Sequence, residues 1–191
     1  AADVAQAEDR IAEELGSRVD NVIPYRHSMS MAIAHTERLL DFPRDRALAA
    51  LVEEANRHGA EPVCQRPTRG FSPVCIPTCL YLLLTTDSFE EAMIDVVNLG
   101  CDADSAGAIL GAMAGAYHGV QAIPERWLDG LQNRQGLEIR AKALEQRSTL
   151  GLELPDLVAT EWRLSEQEVA CRKQLMTTRQ NGGDLGANRL L

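Results

Sequence analysis

Apolar residues along this chain recur every three to four positions, the period of a helix that buries one face, and nowhere alternate as those of a half-buried strand do. The pattern predicts a succession of helices. Val4, Ile11, Ala12 and Leu15 mark one side of a helix over Asp3–Leu15, with Gly16 as its stop. After a turn through Pro24, a second helix is expected over Ser28–Leu40 and a third, following Pro43, over Arg44–His58, ended by Gly59. Pro62, Pro67, Gly70 and Pro73 then make 59–73 a loop, to which Arg66 and Arg69 add positive charge.

Val74–Leu84 lacks a polar side, which predicts a buried helix with Pro77 in its first turn or at a kink. Ser88-Phe89-Glu90-Glu91 has the form of a capping box. Ala92, Met93, Val96 and Val97 form the apolar face of the helix it opens, which stops near Gly100. The next helix carries Gly107, Gly111, Gly115 and Gly119 at a spacing of four, close to one side, with several alanines widening the small surface. Each interior glycine costs about 1 kcal/mol against alanine, so the stripe predicts close approach of a neighbouring backbone. The apolar part, Ala106–Tyr117, is far shorter than the roughly 20 residues of a bilayer span, which favours a buried helix.

Further on, Ile123-Pro124-Glu125-Arg126-Trp127 reads as a helix opening with proline at its first position, and Leu137–Leu144 as another short helix. Ser165-Glu166-Gln167-Glu168 repeats the capping-box pattern for a last helix to about Thr178. The glycines of Asn181–Gly186 predict a flexible tail over 179–191.

Composition supports an all-α reading. With 191 residues, 45% hydrophobic and only 4% aromatic, the chain is long enough for one well-buried domain, expected over 1–178. A net charge of −9 argues against nonspecific nucleic-acid or anionic-membrane binding, because the mean field repels phosphate. Cys64, Cys75, Cys79, Cys101 and Cys171 are odd in number and lack a zinc spacing pair, and no secretory pattern precedes them. Reduced thiols in the cytoplasm are therefore expected. Cys75 and Cys79 share a helix face, where small buried hydrophobes are the ordinary reading.

The candidate chemistry lies in Gly100-Cys101-Asp102-Ala103-Asp104-Ser105, which opens the glycine-striped helix. Asp102, Asp104 and Ser105 offer only hard oxygen atoms, suited to Mg²⁺, Mn²⁺ or Ca²⁺ rather than zinc. They amount to half a shell for a six-coordinate metal, so waters, substrate or another part of the protein must complete it. A second reading is that these residues merely cap the helix. Against it, one aspartate suffices for a cap, whereas two crowd negative charge that a cation relieves. His27, His35, His58 and His118 are scattered and complete no nucleophile pattern; His118 lies about 20 Å along the helix from the aspartates. Arg66 and Arg69 read as a phosphate grip or as solvated loop charge.

From Gly70 to Leu144 the chain resembles the C-terminal part of the ADP-ribosylglycohydrolase family. The resemblance rests on Thr86-Asp87-Ser88-Phe89-Glu90-Glu91-Ala92, on Val97-Asn98-Leu99-Gly100-Cys101-Asp102-Ala103-Asp104-Ser105 and on Ile123-Pro124-Glu125-Arg126-Trp127. It implies a compact all-α bundle and a two-magnesium site, open to Mn²⁺, that helps release ADP-ribose from a modified protein side chain or a small conjugate. By the same resemblance Asp102, Asp104 and Ser105 match the family's Asp-x-Asp-Ser/Thr metal ligands, and Cys101 stands where a second glycine is usual. The family's N-terminal Gly-Asp-Ala-type segment and Thr-Asp-Asp run have no counterpart in this sequence. The fold is therefore expected to be incomplete, as a C-terminal portion or as a noncatalytic relative that binds ADP-ribose or serves as scaffold. No catalytic residue is assigned beyond the metal ligands.

Overall fold

The computed structural model describes residues 2–15, 28–57 and 65–180, and every regular element among them is helical. The turn through Pro24, the stops at Gly16 and Gly59, His27, His58, Cys64 and the glycine-rich stretch from Asn181 lie outside the described residues. By packing, the chain divides into two compact units, Ala1–Pro124 and Glu125–Leu191.

The first unit holds α1 (Ala2–Leu15), α2 (Ser28–Leu39), α3 (Arg44–Arg57), α4 (Ser72–Thr85), α5 (Phe89–Asn98), α6 (Ala103–His118) and a 3₁₀ turn at Val120–Ala122. α4 is its centre, packed by α2, α3, α5 and α6. Packing against four helices along most of its length is why its sequence shows no polar face. Val74, Cys75, Cys79, Tyr81 and Leu82 of α4 join Leu48 and Leu51 of α3, Val96 of α5 and Leu110 of α6 in one apolar core. Pro77 sits past the first turn and is buried, so the carbonyl four residues earlier receives no helical bond from it.

Local signals and long-range ones meet at the helix starts. Ser88 accepts a 3.1 Å hydrogen bond from the Glu91 N–H, and the Glu91 carboxylate reaches back to the Asp87 N–H at 3.1 Å. The predicted box is present, displaced by one residue on its return arm. α2 is started by a residue of another helix. Glu8 of α1 accepts from the Met29 N–H at 2.9 Å and from the Ser30 hydroxyl at 2.7 Å. A carboxylate there satisfies amides that have no partner within α2 and favours the positive end of its dipole.

The glycine stripe behaves differently from the expectation. A methyl group on Gly107 would lie 3.7 Å from Val97, and one on Gly111 3.6 Å from Met93, both ordinary contacts with α5 side chains rather than backbone. One on Gly115 would meet nothing within 4 Å, and Gly119 ends the helix with φ +80°. The stripe is thus a side-chain seat for α5 over two positions and a helix stop at the last.

The second unit holds α7 (Glu125–Gly130), α8 (Arg134–Gln146) and α9 (Leu157–Gln180). α7 starts one residue after Pro124, and Arg134 ties it to α8 through Glu125 at 3.0 Å and Glu138 at 2.9 Å. α9 begins eight residues before the predicted box at Ser165. Asp156 is its cap, its carboxylate accepting from the Ala159 N–H at 2.8 Å. Ser165 is helix interior because the chain from Leu157 already meets helical requirements once that cap is made. Among the described residues no helix is long and apolar enough to cross a membrane.

Candidate metal centre

The turn between α5 and α6 gathers all three predicted ligands at one helix start. α5 ends as the Leu99 and Gly100 amides bond back to Val96 and Val97, and the next two residues turn left-handed, Gly100 at φ +70° and Cys101 at φ +58°. Glycine adopts that conformation freely, whereas cysteine does so at a cost of about 1–2 kcal/mol. The backbone thus accounts for the preference for a second glycine that the resemblance implies at Cys101.

Asp102 occupies the capping position of α6 without capping it. Its φ of −85° and ψ of 56° are non-helical, and its carboxylate takes no hydrogen bond from the amides of the first turn. Asp104 and Ser105 follow within that turn, both exposed, and Asp104 Oδ1 accepts from the Ser105 N–H at 2.9 Å. That amide, and then the hydrogen bond shared with the Asp102 carboxyl, hold the Asp104 carboxyl below the ordinary range. Two acidic side chains therefore meet at the head of α6, with Ser105 next in the same turn. The donor set fits a hard, oxygen-seeking cation, and three residues fill part of its shell.

One further element frames the point. The loop Gln65–Phe71 runs alongside, closed by bonds from the Arg69 N–H to the Arg66 carbonyl and from the Phe71 N–H to the Arg69 carbonyl. From it, the buried Thr68 donates a 2.6 Å hydrogen bond to the Gly100 carbonyl. A methyl group on Gly70 would come within 2.6 Å of Asp102 Oδ2. Neither residue carries a local sequence signal for such a role, since both act on a segment about thirty positions away. Arg66 and Arg69 on the same loop each engage another protein group.

Beneath α6, Cys75 and Cys79 are both buried, and Cys79 Sγ donates to the Ala106 carbonyl at 3.5 Å. The hydrogen bond with Cys75, reinforced by burial, pushes the Cys79 thiol far up, so it stays protonated packing. At the far end of α6, His118 stacks edge-on against Tyr117 with ring centroids 4.8 Å apart, away from the aspartates. Among the described residues, no group of three or more histidine, cysteine, aspartate or glutamate side chains is assembled to hold a metal.

Comparison with known proteins bears on this geometry. The chain is 37% identical over 114 residues to an ADP-ribosyl-dinitrogen reductase glycohydrolase of Rhodospirillum rubrum, covering 56% of this chain and 39% of that protein. It is 36% identical over 69 residues to an ADP-ribosylarginine hydrolase of Serratia proteamaculans, covering 36% and 19%. With the human ADP-ribosylhydrolase ARH3 the identity is 28% over 82 residues, covering 37% and 23%. The chain thus spans well under half the length of these relatives. No solved structure matches it. The profile of the family described as ADP-ribosylglycohydrolase matches residues 2–153, a span that takes in α1 through α8 and the whole Asp102–Ser105 turn, and the chain belongs to that family.

Proposed function

We propose that this chain carries one side of the metal centre of an ADP-ribosylhydrolase, with Asp102, Asp104 and Ser105 as ligands to Mg²⁺ or Mn²⁺. The observation that carries the reading is that Asp102 stands at the head of α6 with its carboxylate taking no hydrogen bond from the first-turn amides. A residue there only to cap would spend that carboxylate on the first-turn amides, as Asp156 does in α9. A bound divalent ion would supply orientation and polarisation to ribose hydroxyls or to water as the glycosidic bond breaks. The chain's own contribution is to hold two carboxylates and a hydroxyl in one turn, fixed to the core through α5 and α6. The substrates in this reading are ADP-ribosylated proteins or small ADP-ribose conjugates; the names of two relatives specify ADP-ribosyl-dinitrogen reductase and ADP-ribosylarginine. Action in the cytoplasm is part of the reading, supported by Cys75, Cys79, Cys101 and Cys171 being free thiols.

A second reading is a noncatalytic homologue that binds ADP-ribose, favoured by the partial donor set among the described residues. One pair of measurements separates the two. Release of ADP-ribose from an ADP-ribosylated arginine or serine peptide, dependent on Mg²⁺ and lost in Asp104→Ala, supports the hydrolase. Saturable ADP-ribose binding by calorimetry without turnover supports the second reading, and an absence of both turnover and binding defeats both.

A further inference from the structure

We propose that Thr68 and Gly70, on the loop before α4, are positioning residues that set where the Asp102 carboxylate stands. The inference deepens the ligand assignment above and rests on it for its bearing on metal.

Within α6 the Ala106 N–H holds the Asp102 carbonyl at 3.0 Å, but no first-turn amide holds its carboxylate. Its backbone is non-helical, its carboxylate makes no cap, and the two residues before it turn left-handed, a segment whose course is set by what it is fastened to. The fastening comes from Gln65–Phe71. Thr68 is fully buried, and its 2.6 Å bond to the Gly100 carbonyl pins the turn two residues before the carboxylate, so a residue without the hydroxyl leaves that carbonyl without this partner. Gly70 acts on the carboxylate itself. Oδ2 occupies the space that any side chain at position 70 would need, so a β-carbon there has to displace Asp102 or the loop.

The loop is fit to bear on the site because it is itself held. Its two internal turns lead into the Phe71 carbonyl, which accepts from the Val74 and Cys75 amides at 3.0 Å and so joins the loop to the first turn of the most buried helix. Two elements distant in sequence therefore define one ligand's position, α6 by carrying it and the α4 entry loop by limiting where it goes. Groups that orient a metal ligand in this way alter affinity by about 10–100-fold when removed.

The experiment uses the whole chain and two readouts. Mn²⁺ affinity, followed by electron paramagnetic resonance, is compared among the unaltered protein, Gly70→Ala, Thr68→Val and Thr68→Ser. Gly70→Ala and Thr68→Val are expected to weaken Mn²⁺ about 10–100-fold, and Thr68→Ser, which keeps the hydroxyl, to restore binding. Unfolding midpoints of Gly70→Ala are then measured with and without Asp102→Ala. The loss caused by Gly70→Ala should vanish once the carboxylate is gone, a coupling that a general packing defect does not produce. Equal losses in both backgrounds, or unchanged Mn²⁺ affinity in Gly70→Ala and Thr68→Val, overturn the proposal. Absence of Mn²⁺ binding by the unaltered protein defeats the ligand assignment, while the coupling of midpoints still decides whether Gly70 places Asp102.

Discussion

Both units are built from helices, yet among the described residues only the first, whose α4, α5 and α6 are far more apolar than α8 and α9, encloses large apolar side chains. In Ala1–Pro124, α4 is enclosed by four helices, and Leu51, Val74, Leu82, Val96 and Leu110 are all essentially inaccessible. In Glu125–Leu191, α7 buries nothing, α8 buries only Gly136, and α9 leaves Trp162 71% and Val158 75% exposed. Helix formation and core formation are therefore separable here. Capping and local ion pairs suffice to write a helix, while a fixed site needs side chains that exclude alternatives. The candidate metal turn belongs to the unit that has them.

The strongest way to break this contrast is to open a cavity in each unit. Leu110→Ala is expected to cost about 2–5 kcal/mol in urea unfolding, because its neighbours cannot close the space. The matching truncation in α9, Trp162→Ala, should stay within about 0.5 kcal/mol; a loss like that at Leu110 would mean that α9 packs against something. Next in size, Asp156→Ala should remove about 1 kcal/mol and the first turn of α9, seen as helicity by circular dichroism, whereas Ser165→Ala should leave the start of α9 unchanged.

Two smaller effects sharpen the picture inside the packed unit. Cys101→Gly should raise stability by up to about 1 kcal/mol, since glycine accepts φ +58° without strain but enlarges the unfolded ensemble. Gly115→Ala should stabilise by about 0.4–1 kcal/mol, as the added methyl group meets open space. A thermal midpoint that falls for Gly115→Ala would show that a backbone does approach α6 there.

What could be read from the chain follows the reach of each interaction. Ser88 and Glu91 are three residues apart, and a capping box is complete within that span, so α5 was legible at its start. Asp102, Asp104 and Ser105 fall within four positions, so their place at the start of one helix was legible, whereas what holds the Asp102 carboxylate was not. The α9 start was misread because Ser165 and Glu168 satisfy the same local rule, and a helix already begun at Asp156 absorbs them. Gly70, Thr68 and Glu8 were not legible as site or cap residues, because each acts on backbone or carboxylate more than twenty positions away. The glycine stripe was read at the correct spacing, but spacing cannot say which side chains fill the groove.

Glu8 has a consequence for how the N-terminal region comes apart. Its carboxylate lends α2 the acceptors that α2 cannot supply from its own sequence, and the bond spans 21 positions. The entropy of bringing the two helices together is spent once, for both. α1 and the first turn of α2 should accordingly open as one cooperative unit, so that amide exchange at Met29 and Ser30 reports the opening of a helix to which neither residue belongs.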